Sequence, residues 1–391
     1  MKIKKAYKFR LKASEQQKVQ LHHYTGAVRF AWNKVLALNL ERLRNKQPLM
    51  WYNEADYWSR LWKSSHEYSF LSEVPAHCLQ QKLRDLDKAL RDGFNHDQPL
   101  KKLPKFKKRG VHDSIRFPEP KQIKFQNRRI KLPKLGWLGF FKSQEINGVV
   151  KNSTISRQGV YWYVSIQVEQ DIPPTPTKGV SAIGIDMGVA SFAALSTGEM
   201  IAPINSFRTL EATLAKNQRQ LSRKQRFSNN WKKQKIKVQA IHRKIANARQ
   251  DFLHKSTTTL SKNHAMIVVE DLKIKNMSKS AKGTMSQPGK QVSAKSGLNK
   301  SILDQGWGEF GRQLTYKLDW AGGILIKVPP HYTSQRCSVG YDLALMLLKD
   351  KILENNVLYL GFHDDVLHYK CIDPDGKYQE NTITWQELHE N

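Results

Sequence analysis

Two apolar, β-branched runs in this chain each contain an acidic residue at the end of the apolar stretch. Residues 183–189 read Ile-Gly-Ile-Asp-Met-Gly-Val and carry Asp186, and residues 266–272 read Met-Ile-Val-Val-Glu-Asp-Leu and carry Glu270. Such runs are typical of strands in a buried sheet, and their acids predict a metal site at one edge of that sheet. Cleavage of a phosphodiester by two metal ions requires several carboxylates around ions roughly 3.5–4 Å apart. Two acids are few for that chemistry, so the sequence suggests a nuclease scaffold that no longer cuts.

Each acid also has a purely structural explanation. Asp186 could begin a turn after its strand, since a glycine follows closely, and Glu270 could cap the helix after it. For either acid alone, the structural explanation is the commoner one. Two such acids in one strongly basic chain favour the metal site.

The charge of the chain predicts a polyanionic partner. Lys and Arg number 65 against 34 Asp and Glu, a net charge of +31. Residues 341–391 hold four Lys and ten Asp or Glu, so residues 1–340 hold 61 cations against 24 acids, a net of +37. A surplus of that size repels itself unless a polyanion neutralises it. Nucleic acid is therefore the expected partner.

Composition also limits the class of protein. The 391 residues, 39% of them hydrophobic, are enough for two or three domains with cores. No apolar run reaches the ~18–20 residues that span a bilayer, and no signal peptide is recognisable, so we expect no membrane partner and a cytoplasmic, nucleoid-associated protein. The only cysteines are Cys78, Cys337 and Cys371. We therefore expect neither disulfides nor a four-cysteine zinc site.

Residues 1–172 show the patterns of a β-rich module. Residues 6–11 alternate as a strand does, and Ser14 to Gln17 form a capping box that opens a helix. A second amphipathic helix is predicted at 76–94, followed by short strands with glycine turns from 115 to 170. These elements predict a β-barrel-like module completed around a helical insertion.

A basic loop at 101–110 interrupts this module. It places six cations around one aromatic residue, Phe106, between Pro and Gly. Such a segment can hold phosphates while the ring packs or stacks, although a merely soluble loop is the alternative. The candidate nucleic-acid contacts here are Lys105, Lys107, Lys108 and Arg109.

The second half begins after a stiff Pro-rich linker at 173–177, the clearest domain boundary. A long basic helical stretch covers 210–260, where cations outnumber acids too heavily for pairing along the helix, so an arm against a polyanion is predicted. Residues 278–300 are low in apolar content and predict a mobile loop, and 323–328 predict a last strand of an α/β layer. The candidate contacts on the arm are Arg223, Lys224, Arg226, Lys232, Lys233 and Lys235.

These strings, taken in order, resemble the TnpB family of transposon-encoded, RNA-guided nucleases related to compact type V CRISPR effectors. The resemblance covers residues 1–340. The matching stretches are 7–11, 29–33, 104–107, 131–136, 184–188, 221–224, 249–255, 269–272 and 306–310.

The resemblance implies an α/β and α+β multidomain protein. Residues 1–172 would form a wedge β-barrel with a helical recognition insertion, 173–340 a RuvC domain of RNase H-like fold without its zinc ribbon, and 341–391 a divergent acidic tail. Asp186 and Glu270 would be the catalytic acids and a weak or vacant Mg²⁺ site. Tyr52 and Gln80 resemble positions that meet the short motif flanking the target. The implied partners are a guide RNA and a double-stranded DNA target, bound by a monomeric ribonucleoprotein.

The sequence departs from the family after Cys337. The family continues with a second Cys, a later Cys pair and a third Asp followed closely by Asn, whereas residues 341–391 contain no Cys pair and no Asp-x-Asn. They predict instead an apolar helix at 342–353 and hairpin strands around 357–360 and 366–369. Asp364 and Asp365 could in principle replace the third acid, but turn residues in a hairpin are the commoner explanation.

Together these features predict an RNA-guided DNA-binding protein whose RuvC cleavage is lost, similar to the nuclease-dead TnpB-like transcriptional repressors. No cofactor would be needed for binding, and zinc would be absent. Two alternatives stay open: an active, Mg²⁺-dependent RNA-guided endonuclease, and a decayed transposon-associated protein with an altered tail.

Overall fold

The protein divides into two compact units, Met1–Ile172 and Pro173–Asn391, in a computed structural model. The structure describes residues 2–171 and 182–330, together with the backbone of three tail strands. Within those ranges no helix is both long and apolar enough to cross a membrane. Several predicted features lie outside the described residues, namely the 173–177 linker, Cys337, the 342–353 helix, Asp364 and Asp365.

The first unit consists of one antiparallel sheet and three long helices. Its strands are β1 (Lys2–Lys12), β2 (Ser114–Phe117), β3 (Lys124–Gln126), β4 (Arg129–Leu132), β5 (Gly136–Phe140), β6 (Val149–Gln158) and β7 (Tyr161–Asp171). Its helices are α1 (Glu15–Arg44), α2 (Tyr52–Ser64) and α3 (Ala76–Phe94), with short 3-10 helices at His66–Glu73 and Pro120–Gln122. The strand order is β2-β6-β7-β1-β5-β4-β3.

Alternation along the strands decides which face of this sheet is buried. On β1, Tyr7, Phe9 and Leu11 are buried, whereas Lys8 and Arg10 between them are exposed. The apolar face packs in one core with the helices. The predicted β-barrel is wrong, because β2 and β3 form the two edges of an open sheet. Alternation of apolar and polar residues along a strand specifies the buried face of the sheet but not whether the sheet closes into a barrel. In this unit the helices cover the apolar face, so closure is not needed to bury it.

Helices α1 and α3 follow their local sequence signals closely. The Ser14 hydroxyl accepts a hydrogen bond from the Gln17 backbone N–H at 3.2 Å, and the Gln17 side chain accepts one from the Ser14 N–H at 3.1 Å. This is the predicted capping box, and it opens α1. Helix α3 has the predicted bounds, with Leu79, Leu83 and Leu86 on its buried face.

The second unit is built on a mixed five-stranded sheet. Its strands are β8 (Ala182–Asp186), β9 (Ala193–Leu195), β10 (Met200–Ile201), β11 (Met266–Glu270) and β12 (Ile324–Val328), in the order β10-β9-β8-β11-β12. Its helices are α4 (Ser206–Ser222), α5 (Asn229–Asn263), α6 (Ile274–Met277), α7 (Val292–Gln305) and α8 (Trp307–Ala321). Strands β8, β11 and β12 run parallel, and β9 and β10 add an antiparallel edge.

Helix α7 contradicts part of the sequence prediction, since a mobile loop was expected over 278–300 and α7 begins at Val292. Its buried residues, Ile302, Asp304 and Gln305, all lie in its last turn. The first turns of α7 are polar and so do not predict a helix, and only its last turn packs into the core.

The core of the second unit lies between the parallel strands and helices α5 and α8. Ile185 and Val269 from the strands pack with Leu253 of α5 and Phe310 of α8. Phe192, just before β9, meets Phe310 edge to face with ring centroids 5.0 Å apart. This packing fixes where β8 and β11 end.

The tail contains a three-stranded antiparallel meander. Its strands are β13 (Tyr359–His363), β14 (Val366–Ile372) and β15 (Tyr378–Thr384), in that order. The predicted hairpin is confirmed, with Phe362 opposite Leu367, and β15 is an additional strand.

The first turn of α8 contains a carboxylate whose ionisation should stabilise the fold. Arg312 donates to both oxygens of Glu309, at 2.7 and 2.6 Å, and the Gln313 amide donates at 3.1 Å. The hydrogen bonds from Arg312 hold the pKa of Glu309 at about 2, well below its ordinary value of 4.5. Because the folded pKa is the lower one, this stabilisation is present above pH 4.5 and is lost as the pH falls toward 2.

We therefore expect Glu309→Gln to lower the free energy of unfolding by about 1–2 kcal/mol at pH 7, a value reduced for partial exposure. The difference from the unmodified protein should shrink as the pH falls below about 4.5. Urea denaturation between pH 7 and pH 3.5 measures it. A difference that stays constant over this range would show that the Glu309 charge contributes nothing.

Candidate functional site

Two neighbouring parallel strands bring the predicted acids together. Val269 of β11 pairs with Ile185 of β8, so Asp186 and Glu270 follow at equivalent positions, at the carboxyl ends of the two strands. The Asp186 side chain is exposed and that of Glu270 is half-buried. The apolar residues before them are buried and fix the two strands, so the two carboxylates are held side by side at the sheet edge.

The structure supports neither alternative role, that of Asp186 as a turn residue or that of Glu270 as a helix cap. Helix α6 begins only at Ile274, with Lys273 in its N-cap position and no side-chain cap, so Glu270 is not its capping residue. Asp186 is the last residue of β8 and pairs with Ala194 of β9. Asp186 therefore belongs to the sheet, and the turn starts after it.

The donor set suits a hard cation but is small. Carboxylate oxygens are ligands that Mg²⁺ prefers, so Asp186 and Glu270 could hold one ion. Asp271, next in sequence, makes an ion pair with Lys273, and its backbone N–H donates to the Val328 carbonyl at 2.8 Å. In the part of the chain that the structure describes, no group of three or more His, Cys, Asp and Glu could hold a metal ion. A two-metal site would need further oxygen ligands.

The basic loop at 101–110 is fastened to α1. The Trp32 indole N–H donates to the Lys105 carbonyl at 3.2 Å, and the Asn33 side chain exchanges two hydrogen bonds with the backbone of Lys107, at 3.0 and 2.8 Å. The Lys107 ammonium also lies 4.1 Å from the Trp32 ring centroid. This anchoring leaves the side chains of the four predicted contacts exposed, namely Lys105, Lys107, Lys108 and Arg109. The loop therefore presents its cations from a fixed backbone.

Tyr52 and Gln80 lie near each other in the fold. The Tyr52 N–H donates to the Asp87 carboxylate of α3 at 3.0 Å, and the Arg84 guanidinium lies 4.7 Å from the Tyr52 ring centroid. Gln80 is one helical turn before Arg84, on the same side of α3. Both side chains are half-buried. Tyr52, the first residue of α2, thus lies against α3 one helical turn from Gln80.

Sequence reasoning missed a cationic sheet face in the first unit. Lys8 and Arg10 of β1 lie opposite Ser165 and Tyr163 of β7, on the face away from the core. The Arg10 guanidinium lies 4.1 Å from the ring centroid of Phe141. The remaining exposed cations of this face include Lys4, Lys12, Arg129 and Lys131. The signal lies in residues 2–12, where cations largely alternate with apolar residues. The alternation over residues 6–11 predicts the strand, and the same alternation places its cations on the face opposite the apolar one.

A groove adjoins this face at the end of β1. It has a volume of about 780 Å³ and is lined by Lys12, Arg129 and Trp137, among others. Trp137 is 37% exposed, so the groove offers a flat ring beside cations. Cations combined with exposed rings are the usual equipment for holding phosphates and bases.

The predicted arm is a hairpin of two helices, α4 and α5. Residues 212–250 contain twelve Lys and Arg and no Asp or Glu. Leu214 packs with Val238 and Ile245 between the two helices. The arm's six predicted contacts are all at least partly exposed, namely Arg223, Lys224, Arg226, Lys232, Lys233 and Lys235. Cations without compensating acids give this arm a strong positive potential.

Cys78 is not equipped to hold zinc. It is a free, buried thiol in α3, and burial raises its pKa to about 12. A metal ligand must be a thiolate, which this environment disfavours. Cys337 lies outside the described residues.

Comparison with known proteins places these features in a family. Three family models match parts of the chain: "Helix-turn-helix domain" over residues 1–47, "Probable transposase" of the IS605 OrfB type over 165–281, and "Cas12f1-like, TNB domain" over 307–373. A solved structure, described as the Cas12f1-sgRNA-target DNA complex, aligns with a TM-score of 0.47 and 12% identity, covering 86% of this chain and 91% of that one.

Two relatives match over most of their length. "Putative RNA-guided DNA endonuclease InsQ" of Escherichia coli (strain K12) is 48% identical over 338 residues, which is 86% of this chain and 83% of the relative. A "Putative RNA-guided DNA endonuclease" of Streptomyces pristinaespiralis is 31% identical over 339 residues, 85% of this chain and 79% of the relative. The predicted resemblance is thereby confirmed: the chain belongs to the TnpB family, the IS605 OrfB proteins.

Proposed function

We propose that this protein binds DNA under the direction of a guide RNA and holds its target without cutting it. The observation that carries the proposal is a combination found within the described part of the second unit: a basic arm with no acid over residues 212–250, and two in-register carboxylates at the sheet edge. The arm suits a polyanion, and the two acids are too few for a two-metal reaction. The names of the relatives, RNA-guided DNA endonucleases, supply the guide and the DNA target.

The proposed mechanism divides recognition between protein and RNA. Tyr52 and Gln80 contact the short duplex that flanks the target, while base pairing with the guide reads the sequence. The loop cations and the arm hold the heteroduplex through its backbone, which carries no sequence information. A wedge module and a RuvC domain of RNase H-like fold are the proposed identities of the two units, and the complex is a monomeric ribonucleoprotein of the cytoplasm.

The two carboxylates, Asp186 and Glu270, determine which metal ion the site could bind. Asp186 and Glu270 would hold a single Mg²⁺ weakly, and that ion would supply local charge neutralisation. Holding two ions close together against their mutual repulsion takes more negative charge than two carboxylates provide. In this proposal binding requires neither Mg²⁺ nor zinc. The uncut R-loop then persists and blocks a polymerase, which makes the protein a transcriptional repressor.

An active endonuclease is the second candidate, and the relatives favour it. Both carry the word endonuclease in their names, one at 48% identity. In that case a third ligand comes from residues outside the described ranges, with Asp364 and Asp365 as the candidates in the tail.

Incubation of the guide-loaded protein with its matched duplex and Mg²⁺ distinguishes the two candidates. We expect binding with both strands intact, and unchanged occupancy for Asp186→Ala, since that acid performs no chemistry in the proposed function. Asp271→Ala is the matched control, because Asp271 is a neighbouring acid already paired with Lys273. Guide-dependent cleavage that Asp186→Ala abolishes and Asp271→Ala preserves would establish the endonuclease instead.

A further inference from the structure

The turn between α4 and α5 holds an aromatic residue in an unfavourable backbone conformation. Phe227 has a φ of 69°, in the left-handed region, and its side chain is 64% exposed. Bulky residues rarely adopt this conformation, which glycine adopts freely. At this exposure Phe227 gains little from hydrophobic burial in the described chain. Strained residues of this kind cluster at functional sites, where the surrounding structure maintains the strain.

The surroundings of Phe227 form a small aromatic and cationic tip. Its ring centroid lies 5.6 Å from that of Trp231 in the first turn of α5. The Arg226 guanidinium lies 4.9 Å from the Phe227 ring, and the Lys235 ammonium lies 4.9 Å from the Trp231 ring. The Ser228 hydroxyl accepts from the Trp231 N–H at 3.1 Å and so fixes the start of α5. Two rings are thus held beside two cations at the end of the arm.

The helices below hold this tip in place. The buried Gln234 side chain of α5 donates to the Asn217 carbonyl and side-chain oxygen of α4, at 3.2 and 2.9 Å. It also donates to the Gln220 side chain at 3.0 Å. These bonds cross-link the two helices less than one turn from Trp231.

The chemistry of the tip selects its ligand. Twelve cations and no acids over residues 212–250 require a polyanionic partner. The exposed Phe227 ring offers a flat apolar face that a second flat apolar surface can cover, and among polyanions the nucleic acids supply one in their bases. Base pairs inside a duplex are already stacked, so the available surface is an unpaired base.

We propose that the tip formed by Arg226, Phe227, Trp231 and Lys235 stacks on an unpaired nucleobase of the bound nucleic acid, while the two cations hold the adjacent phosphates. This inference deepens the proposed function and rests on it. Phe227 keeps its strained conformation because the exposed ring serves binding and not folding.

Substitution at position 227 separates binding from folding. The full chain is titrated with a single-stranded oligonucleotide of about a dozen nucleotides, and with an abasic oligonucleotide of the same length. For Phe227→Gly we expect the affinity for the intact strand to fall roughly five- to hundredfold, as for the loss of a stacked base, with the abasic affinity unchanged. The thermal midpoint should stay the same or rise, since glycine relieves the strain. Intact probes of RNA and of DNA show which nucleic acid supplies the base.

Three further variants complete the experiment. Phe227→Trp should keep the affinity, because the ring is retained, and Met200→Ala, at a 63% exposed apolar residue of β10, should leave it unchanged. Arg226→Ala should reduce the slope of log affinity against log salt by about one, whereas Phe227→Gly should leave the slope unaltered.

Two results would overturn the inference. Equal affinities of Phe227→Gly and the unmodified protein for the intact strand would remove the stacking role. An equal loss of affinity for the intact and the abasic strand would show that the substitution perturbs the arm and does not remove a stacked base. If the unmodified protein binds neither probe, the proposed function itself fails, and that outcome differs from both of the others.

Discussion

Replacing Asp304 by alanine is expected to lower the free energy of unfolding of the second unit by about 3–5 kcal/mol, because it leaves a cation and two donors without their acceptor. Asp304 lies in the last turn of α7 and its side chain is 4% exposed. Its carboxylate accepts from the Arg249 guanidinium at 2.6 Å, from the Ser206 hydroxyl at 2.9 Å and from the Phe207 N–H at 2.8 Å. The buried Asp304 carboxylate therefore joins α7 to the start of α4 and to Arg249 within α5.

The bond to Phe207 explains why this acid matters for the arm. Helix α4 follows Asn205, which has a left-handed backbone and makes no side-chain cap. Asp304 takes over the capping role from another helix, and its charge favours the positive end of the α4 dipole. Loss of Asp304 should therefore release the start of the arm first.

Hydrogen exchange of the α4 amides, read together with urea denaturation, measures this effect. Asp251→Ala is the control, since Asp251 makes an exposed pair with Lys255 at 2.7 Å, with both side chains at least 65% exposed, and should change the stability by less than about 1 kcal/mol. Asp304→Asn, which keeps an acceptor but loses the charge, should fall between the two. Equal effects of Asp304→Ala and Asp251→Ala would contradict the account.

The positions of Asp186 and Glu270 could be predicted from the sequence because the residues next to each acid specify the strand that carries it. A β-branched run ending in an acid specifies both a strand and the position of its last side chain, and two such runs in parallel register bring Asp186 and Glu270 to one edge. The capping box at Ser14 and the leucine spacing of α3 are equally local. Such signals do not depend on the rest of the chain.

The features that sequence reasoning missed depend on contacts distant in sequence. Helix α7 is polar along its first turns, and its place is fixed by Asp304 binding residues 55 and more positions away. Helix α2 begins after Trp51, which makes no side-chain cap, so the sequence contains no capping signal that predicts the start of this helix. The open sheet differs from the predicted barrel because alternation along a strand specifies its buried face but not whether the two edge strands, here β2 and β3, pair with each other.

The largest effect concerns the affinity for nucleic acid, which is expected to fall about 10³–10⁵-fold between 50 and 200 mM salt, as for a protein that makes six to ten phosphate contacts. Both units carry cations suited to such contacts, in the loop at 101–110 and along the α4–α5 arm. Each phosphate that a cation neutralises releases condensed counterions, and added salt opposes that release. Titration of the protein with its copurifying RNA over this salt range gives the slope.

Two variants of equal net charge test whether position or total charge sets this slope. Alanine at Lys105, Lys107, Lys108 and Arg109 should reduce the slope by roughly three to four, since each removed contact contributes about 0.9. The control replaces four cations that are already paired with acids, Lys18, Lys88, Lys255 and Lys300. Because their charge is locally neutralised, the slope should change little. Equal slopes for the two variants would mean that the loop makes no specific phosphate contacts and that net charge alone attracts the nucleic acid.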